Sequence, residues 1–483
     1  MKRYRLHIWP IWLLLGMMFL AACQSDALPG DDLGGGKPIV AHSDSSYINL
    51  RIVNNQTPMT RATEAATAKE NAIYDGILCI FEGTSESEAT LKTATVIDQL
   101  INNPGVNGIP NLNITQRLAI GTHDYGPNLY VLALLNTTST GFKVGGANNN
   151  ELLFDGVSKK NATISQIQNL VIHSVGSTEE HVGLFMSNAP LDGSIMPRVA
   201  SSYLFDTEAA AASGGKLTIN VERAAARVKV TNTAAAITTF NLDGDPNRHP
   251  TVHRMTWALH NYNTQSYAIR KNDTAAQNWA TSVRDHLISF TNSGTDAFDL
   301  YQQHSYKDGD AVYIAENTTT TVNDQTQVFV EVQLKEGSFL LGDCFKYSNW
   351  DAEIFFTSAE KFIQYCKVGW KTTFASLNTG LTSKSADEVF KYPSLVINTD
   401  GSVTVTLKND SFTTSEQTAL AGLSNTLSGL LRGYRDGKVY YTYKIKHDTN
   451  HEFGVVRNNA YNLNFTSVPA IGDPVPTPIV VTP

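Results

Sequence analysis

Charge is what this sequence has least of. Only 17% of its 483 residues are Asp, Glu, Lys or Arg, against about a quarter in ordinary soluble domains. Lys and Arg number 37 against 45 acids, a net charge of −8, and no basic run occurs. A nucleic-acid surface needs clustered cations to displace counterions, so no nucleic-acid partner is expected. Cysteine is scarce too: Cys23, Cys79, Cys344 and Cys366 are all there is, without CxxC spacing. That disfavours zinc and thioredoxin-type chemistry. Walker loops, GxSxG and HExxH are missing, as is a GxGxxG after a strand, so no catalytic residues, metal site or cofactor are expected. What remains is a polar-uncharged body, 42% hydrophobic and 9% aromatic, with enough apolar mass to exclude wholesale disorder.

The one long apolar run is at the start. Lys2, Arg3 and Arg5 precede Ile8 to Leu20, interrupted only by Pro10 and Gly16. This stretch falls short of the ~20 residues of a comfortable membrane span and suits a signal-peptide core. It leads into Leu20-Ala21-Ala22-Cys23, which resembles a bacterial lipobox, with Cys23 as the lipidated residue. Asp26, Asp31 and Asp32 beside Gly34–Gly36 resemble the surface-export signal of Bacteroidetes lipoproteins; the same composition also makes a flexible tether. No second span follows, so the mature protein is expected to hold to the outer membrane through lipid. Cys79, Cys344 and Cys366 allow at most one bridge, and whether Cys344 and Cys366 pair stays open.

Strand patterning dominates the rest. Val328, Val330, Val332 and Leu334 alternate with their neighbours, as do Val403, Val405 and Leu407. The same holds for Val439, Tyr441, Tyr443 and Ile445, for Leu217, Ile219 and Val221, and for Tyr461, Leu463 and Phe465. Period two places alternate side chains on one sheet face, the pattern of half-buried antiparallel strands. Leu129 to Leu135 is continuously apolar, as a strand buried on both faces would be. One helix stands out: Leu420, Leu423, Leu427 and Leu430 recur at helical spacing, Thr413 and Glu416 suit a capping box, and Gly433 reads as the stop. A shorter amphipathic piece is expected near Val96 to Ile101. The Ala/Ser/Gly stretch Ala209–Gly215 marks a domain junction.

Few residues suggest a site. His249 and His253 are separated by Pro250, and His447 and His451 lie beside Asp448 and Glu452 in a polar loop, where solvated residues are expected. Asp243/Asp245 and Asp308/Asp310 flank glycines and read as turn formers. Trp257, Trp350 and Trp370 are expected to be core residues and not sugar-stacking platforms.

Several segments, in order, resemble the Bacteroidales fimbrillins, the type V pilin family of the major and minor fimbrial subunits of Porphyromonas. They are Val221-Glu222-Arg223-Ala224-Ala225-Ala226-Arg227-Val228-Lys229-Val230, Thr256-Trp257-Ala258-Leu259-His260-Asn261-Tyr262-Asn263 and Tyr313-Ile314-Ala315-Glu316-Asn317-Thr318. Gly437-Lys438-Val439-Tyr440-Tyr441, Val456-Arg457-Asn458-Asn459-Ala460-Tyr461, a Pro-rich tail, the lipobox and Thr60-Arg61-Ala62 complete the pattern. The resemblance implies an all-β chain of two transthyretin-like β-sandwich domains, with the helix as an insertion in the second. It also implies lipoprotein export, Arg-specific proteolysis and assembly into a fimbria. The expected division is a signal peptide over 1–22, a lipidated propeptide with the first strand over 23–61, and sandwich domains over 62–213 and 214–483. Arg457, Asn458 and Tyr461 are expected to be structural.

The function expected is that of a fimbrial stem subunit on the cell surface. Its partners would be other copies of itself, accessory fimbrial subunits and an Arg-specific protease. Cleavage falls between Arg61 and Ala62, in a small, polar, protease-accessible segment; Arg51 and Arg117 are competing sites. Tyr47 to Val53 reads as the displaced strand, with Ile48, Leu50 and Ile52 on its apolar face. The tail supplies the donor strand through Val475, Ile479, Val480 and Val481, in the manner of strand addition to an open edge. The alternatives are a monomeric surface lipoprotein that binds glycans, an anchor or tip subunit of the same fimbria, and a secreted hydrolase.

Overall fold

The computed structural model describes residues 46–54, 66–97, 111–118, 128–179, 182–190, 193–233, 237, 239–273, 276–283, 287–288, 301, 303–319, 321–349, 353–447, 454–468 and 470–477. The architecture is all-β, as the strand patterning predicts, with a helical insertion, as the resemblance implies.

The first body is built on a nine-stranded sheet. Its main path runs Leu204–Phe205, Ser46–Asn54, Leu217–Arg223, Met186–Asn188, Asn128–Leu135, Gly76–Gly83 and Thr90–Val96. Asn111–Leu118 pairs with Ser46–Asn54, and Arg198–Val199 pairs with Asn128–Leu135. Asn128–Leu135 explains its own composition. Leu129, Val131, Ala133 and Leu135 point into one cluster, while Tyr130, Leu132 and Leu134 point into another. Both faces are covered, so no charged or amide side chain occurs from Leu129 to Leu135. The first cluster also takes Ile48, Leu50 and Ile52 from the other end of the sheet, so the sheet folds over on itself.

The second body is a sandwich. One sheet runs Leu287–Ile288, Tyr262–Asn263, Ala311–Ala315, Ala225–Asn232 and Ala460–Phe465; the other is centred on Thr251–His260 and Gln327–Glu336, with Lys438–Lys444 at its side. Val228 and Val230 from the first sheet meet Trp257, Leu259, Val328 and Val330 from the second. The chain passes between bodies at Ala224: Leu217–Arg223 lies in the first sheet and Ala225–Asn232 in the second sandwich. The Ala209–Gly215 stretch expected at the junction instead holds the Glu208–Ser213 helix, capped by Thr207. Alanine favours helix more strongly than a composition-based reading of a linker allows.

A third unit interrupts the second body. Gln327–Glu336 and Lys438–Lys444 are adjacent antiparallel partners, with Val332 opposite Val439, so a short turn could join them. Instead the chain builds a module with its own core, including Phe345, Phe362, Trp370, Leu381, Val405 and Leu423. The expected helix runs Thr414–Gly429, with the Thr413–Glu416 capping box formed and Leu420, Leu423 and Leu427 buried. It stops earlier than expected, at a Leu430 cap. Gly433 lies in the strand Leu431–Tyr434, opposite Phe345. Ser424 and Ser428 on this helix accept from the Leu407 and Val405 amides at 3.1 and 2.8 Å, covering a strand edge that would otherwise invite pairing. Of the amphipathic piece expected near Val96 to Ile101, Val96 ends the strand Thr90–Val96; residues 98–101 lie outside the described residues. No helix among the described residues is long and apolar enough to cross a membrane.

Candidate functional site

The apolar alternation of Ile48, Leu50 and Ile52 puts all three in the core, at most 1% exposed. Their strand, Ser46–Asn54, is held from both sides. Asn111–Leu118 pairs with it antiparallel over eight positions, with Leu50 opposite Ile114. Leu217–Arg223 pairs with it in parallel, with Leu50 opposite Leu217 and Ile52 opposite Ile219. Arg51 is exposed in mid-strand, and Arg117 is exposed opposite Tyr47. Asn49, expected on the polar face, is buried, and its Nδ2 donates to Gly214 O at 3.4 Å. Cys23, Arg61 and Ala62 lie outside the described residues.

Downstream of this strand the described chain resumes at residue 66 and is tied down by Glu70 and Asn71. Glu70 is buried and receives Arg227 Nη1 at 3.2 and 3.3 Å. Arg223 Nη1 donates to Asn71 Oδ1 at 3.2 Å. Burial and the nearby Glu70 carboxylate hold the Tyr313 hydroxyl well above the usual tyrosine range. The Glu70–Arg227 pair ties the first body to the opening strand of the second, while the Arg223–Asn71 bond lies within the first body. Sequence reasoning missed them, because nothing in the spacing of Glu70 and Arg227 brings them together.

The described tail runs against the Lys438–Lys444 edge. Tyr440 and Asp473 exchange both backbone hydrogen bonds at 2.9 Å. Tyr434 Oη donates to Gly472 O at 2.9 Å, Tyr441 Oη to Ala470 O at 3.0 Å, and Thr442 Oγ1 to Thr477 O at 2.7 Å. Val475 is half-buried, beside Ile397 and Gly433 of the inserted module. Ile479, Val480 and Val481 lie outside the described residues.

Between the two sheet edges of the second body lies an open groove of about 460 Å³. Val230, Val328, Tyr443, Tyr461, Leu463 and Phe465 line it, and Leu463 and Phe465 are only half-buried. Tyr461 anchors one end. Its hydroxyl accepts from the Val456 amide at 2.9 Å and shares a 2.7 Å hydrogen bond with His447 Nδ1. His447 is therefore buried, correcting the expectation of a solvated loop residue. Arg457 is buried with Glu316, and Asn458 turns the chain with φ 61°, which are the structural roles expected of them.

The remaining sequence candidates serve the fold. Trp257 and Trp370 are core residues, 0% and 1% exposed; Trp350 lies outside the described residues. Asp243 receives Arg248 Nη1 at 2.6 Å and the Thr357 amide at 2.8 Å. Asp310 accepts from the Lys307 amide, and Asp308 from the Asn232 amide. His249 faces Phe240 O at 3.1 Å. Among the described residues no group of His, Cys, Asp and Glu is placed to hold a metal ion. Cys79, Cys344 and Cys366 are buried free thiols. Burial, with Asp243 and Asp343 nearby, pushes the Cys344 thiol up to about 12, which suits packing and not nucleophilic chemistry.

No curated protein matches the chain. Among solved structures, a fimbrial assembly protein from Parabacteroides distasonis aligns over 61% of this chain and 83% of its own, at 11% identity and TM-score 0.31. A candidate cell adhesion protein from Bacteroides eggerthii aligns over 64% of this chain and 79% of its own, at 14% identity and TM-score 0.33. Residues 432–481 match the family profile described as "Major fimbrial subunit protein type IV, Fimbrillin, C-terminal". That segment holds the Lys438–Lys444 edge, the Arg457–Tyr461 turn and the tail, and it is over these residues that the chain is similar to the fimbrillins.

Proposed function

We propose that the protein is a structural stem subunit of a surface fimbria, exported as a lipoprotein through Cys23, cut after Arg61 and polymerised by strand exchange. The observation that carries this reading is the position of Ser46–Asn54. It lies between two partner strands in the sheet, yet only six residues separate it from Arg61. Cutting there would release the strand together with the lipidated segment. The loss would open the Leu217–Arg223 edge and a slot shaped by Ile48, Leu50 and Ile52. An open edge over an apolar slot is a template for a strand from another chain. Main-chain hydrogen bonds give such a strand affinity, and alternate apolar side chains give it register. The tail of a second copy, with Val475, Ile479, Val480 and Val481, has the composition to fill it. Adhesion would follow from display on the filament, with no catalytic step.

Electron microscopy of the purified protein before and after an Arg-specific protease tests this. Filaments are expected only after cleavage, and neither Arg61→Ala nor deletion of residues 475–483 should form them. Parental filament yield from both variants would overturn the exchange mechanism. Cys23→Ala should separately abolish fatty-acid labelling.

The inserted module favours a second reading, an accessory anchor or tip subunit, because a repeating shaft needs no extra unit with its own core. A stem subunit polymerises alone. An accessory one enters filaments only when a different subunit is supplied.

A further inference from the structure

The described tail touches more than the sandwich edge beside it. Pro474 and Val475 lie in a small cleft walled by Lys438 and Tyr440 of the edge strand and, among others, by Ile397, Gly401, Gly433 and Arg435. The last four belong to the inserted module or to the turn that leaves it. The hairpin of Tyr392–Ile397 and Val403–Lys408 reverses through Asp400 and Gly401, and this reversal meets the tail. Gly401 has φ +76°, and a Cβ there would stand 2.4 Å from Pro474 Cγ. Only glycine allows both the backbone turn and so close an approach. Gly401 is itself braced, because its carbonyl accepts the Gly433 amide at 2.9 Å. Tyr434, at the end of the module's last strand, also donates to Gly472 O. Tyr440 holds Asp473 by two main-chain bonds.

The segment from Gly472 to Val475 is therefore gripped between a sandwich edge and a module that a plain sandwich would lack. The chain bends at Pro474 and Val475. By Thr477 it lies beside Thr442, two residues further along the edge strand than Tyr440.

We infer that the inserted module is a clamp for the C-terminal tail. It fixes the root at Gly472–Val475, so that in strand exchange the part of the tail that pairs with an open sheet edge on a second copy of this chain begins after Thr477. The inference rests on the strand-exchange reading for its purpose, but the clamp itself is a property of the single chain. It gives the module a role that its fold alone does not suggest: it sets the length and starting point of the donor. It also narrows the donor to Ile479, Val480 and Val481, with Val475 assigned to the root.

Two variants of the full mature chain test it by amide hydrogen exchange. Gly401→Val drives a side chain into Pro474. Tyr434→Phe removes only the hydroxyl that holds Gly472 O and keeps the ring against Phe355. In both, the Asp473 and Tyr440 amides should exchange about fivefold faster or more, the factor that one lost hydrogen bond supplies. Amides in the Thr414–Gly429 helix should keep their parental rates. Parental protection at Asp473 in Tyr434→Phe, with Gly401→Val loosening the tail only together with that helix, would overturn the clamp. Filament formation by the parent is scored separately. A parent that never polymerises removes strand exchange, while the exchange rates still decide whether the module grips the tail.

Discussion

Arg457 and Glu316 face each other with no exposure to solvent, joined from Nε to Oε2 at 2.8 Å and from Nη2 to Oε1 at 2.6 Å. Arg457 Nη2 also reaches Ser266 Oγ at 2.6 Å and Tyr267 O at 2.8 Å. Ser266–Tyr267 pairs in turn with Val171–Ile172 of the first body. The guanidinium therefore sits at the joint between the two bodies. Glu222 is buried nearby against Arg270, and burial raises its carboxyl above the usual glutamate range.

Removing one partner of such a pair strands the other charge. Arg457→Leu should cost about 3–5 kcal/mol, because Glu316 would be left buried without its cation. Replacing both residues by apolar ones should cost much less. Denaturant unfolding of the single and double variants checks this, and equal losses in the two would count against a charge-pair origin.

Leu50→Ala should weaken the uncut protein and spare the filament. The side chain is fully buried, so truncation should cost about 2–5 kcal/mol in the precursor. A subunit that has shed Ser46–Asn54 no longer contains the residue, so its filaments should dissociate at the parental denaturant concentration. Filaments weakened in step with the precursor would mean that the strand stays in place.

The His260 ring lies against Phe329 at 5.4 Å, 2% exposed, and burial pushes its pKa down to about 4. The folded value lies below the ordinary 6.5. Its contribution to stability is therefore present above pH 6.5 and is lost as the pH falls toward 4 through proton uptake by the unfolded chain. The loss over that window should be roughly 3 kcal/mol. The difference in unfolding free energy between parent and His260→Phe, followed from pH 7 to pH 4, should show that slope.

The three internal thiols should be inert in the folded protein. Cys79 and Cys366 are held by burial well above the usual cysteine range, and Cys344 at about 12, so thiolate is scarce at neutral pH. Mass spectrometry after alkylation should find Cys79, Cys344 and Cys366 unmodified in native protein and all three modified in denaturant. Rapid native labelling at Cys344 would contradict its packing.

The sequence by itself determined the strands and the one long helix, because these depend on local period. Val403, Val405 and Leu407 alternate buried with their exposed or half-buried neighbours as written, and Thr413 caps its helix with Glu416 three residues on. It also determined the apolar face of Ser46–Asn54, since alternation along a strand fixes which side chains share a face. Only the tertiary structure decided which strands those faces meet. Leu50 lies 167 positions from Leu217, its parallel neighbour, and no local pattern encodes a pairing at that range. Tertiary packing likewise buried His447 under Tyr461, joined Glu70 to Arg227 across the two bodies, and laid the tail against Gly401. A side chain's period records that it will be covered; what covers it depends on how distant segments pack.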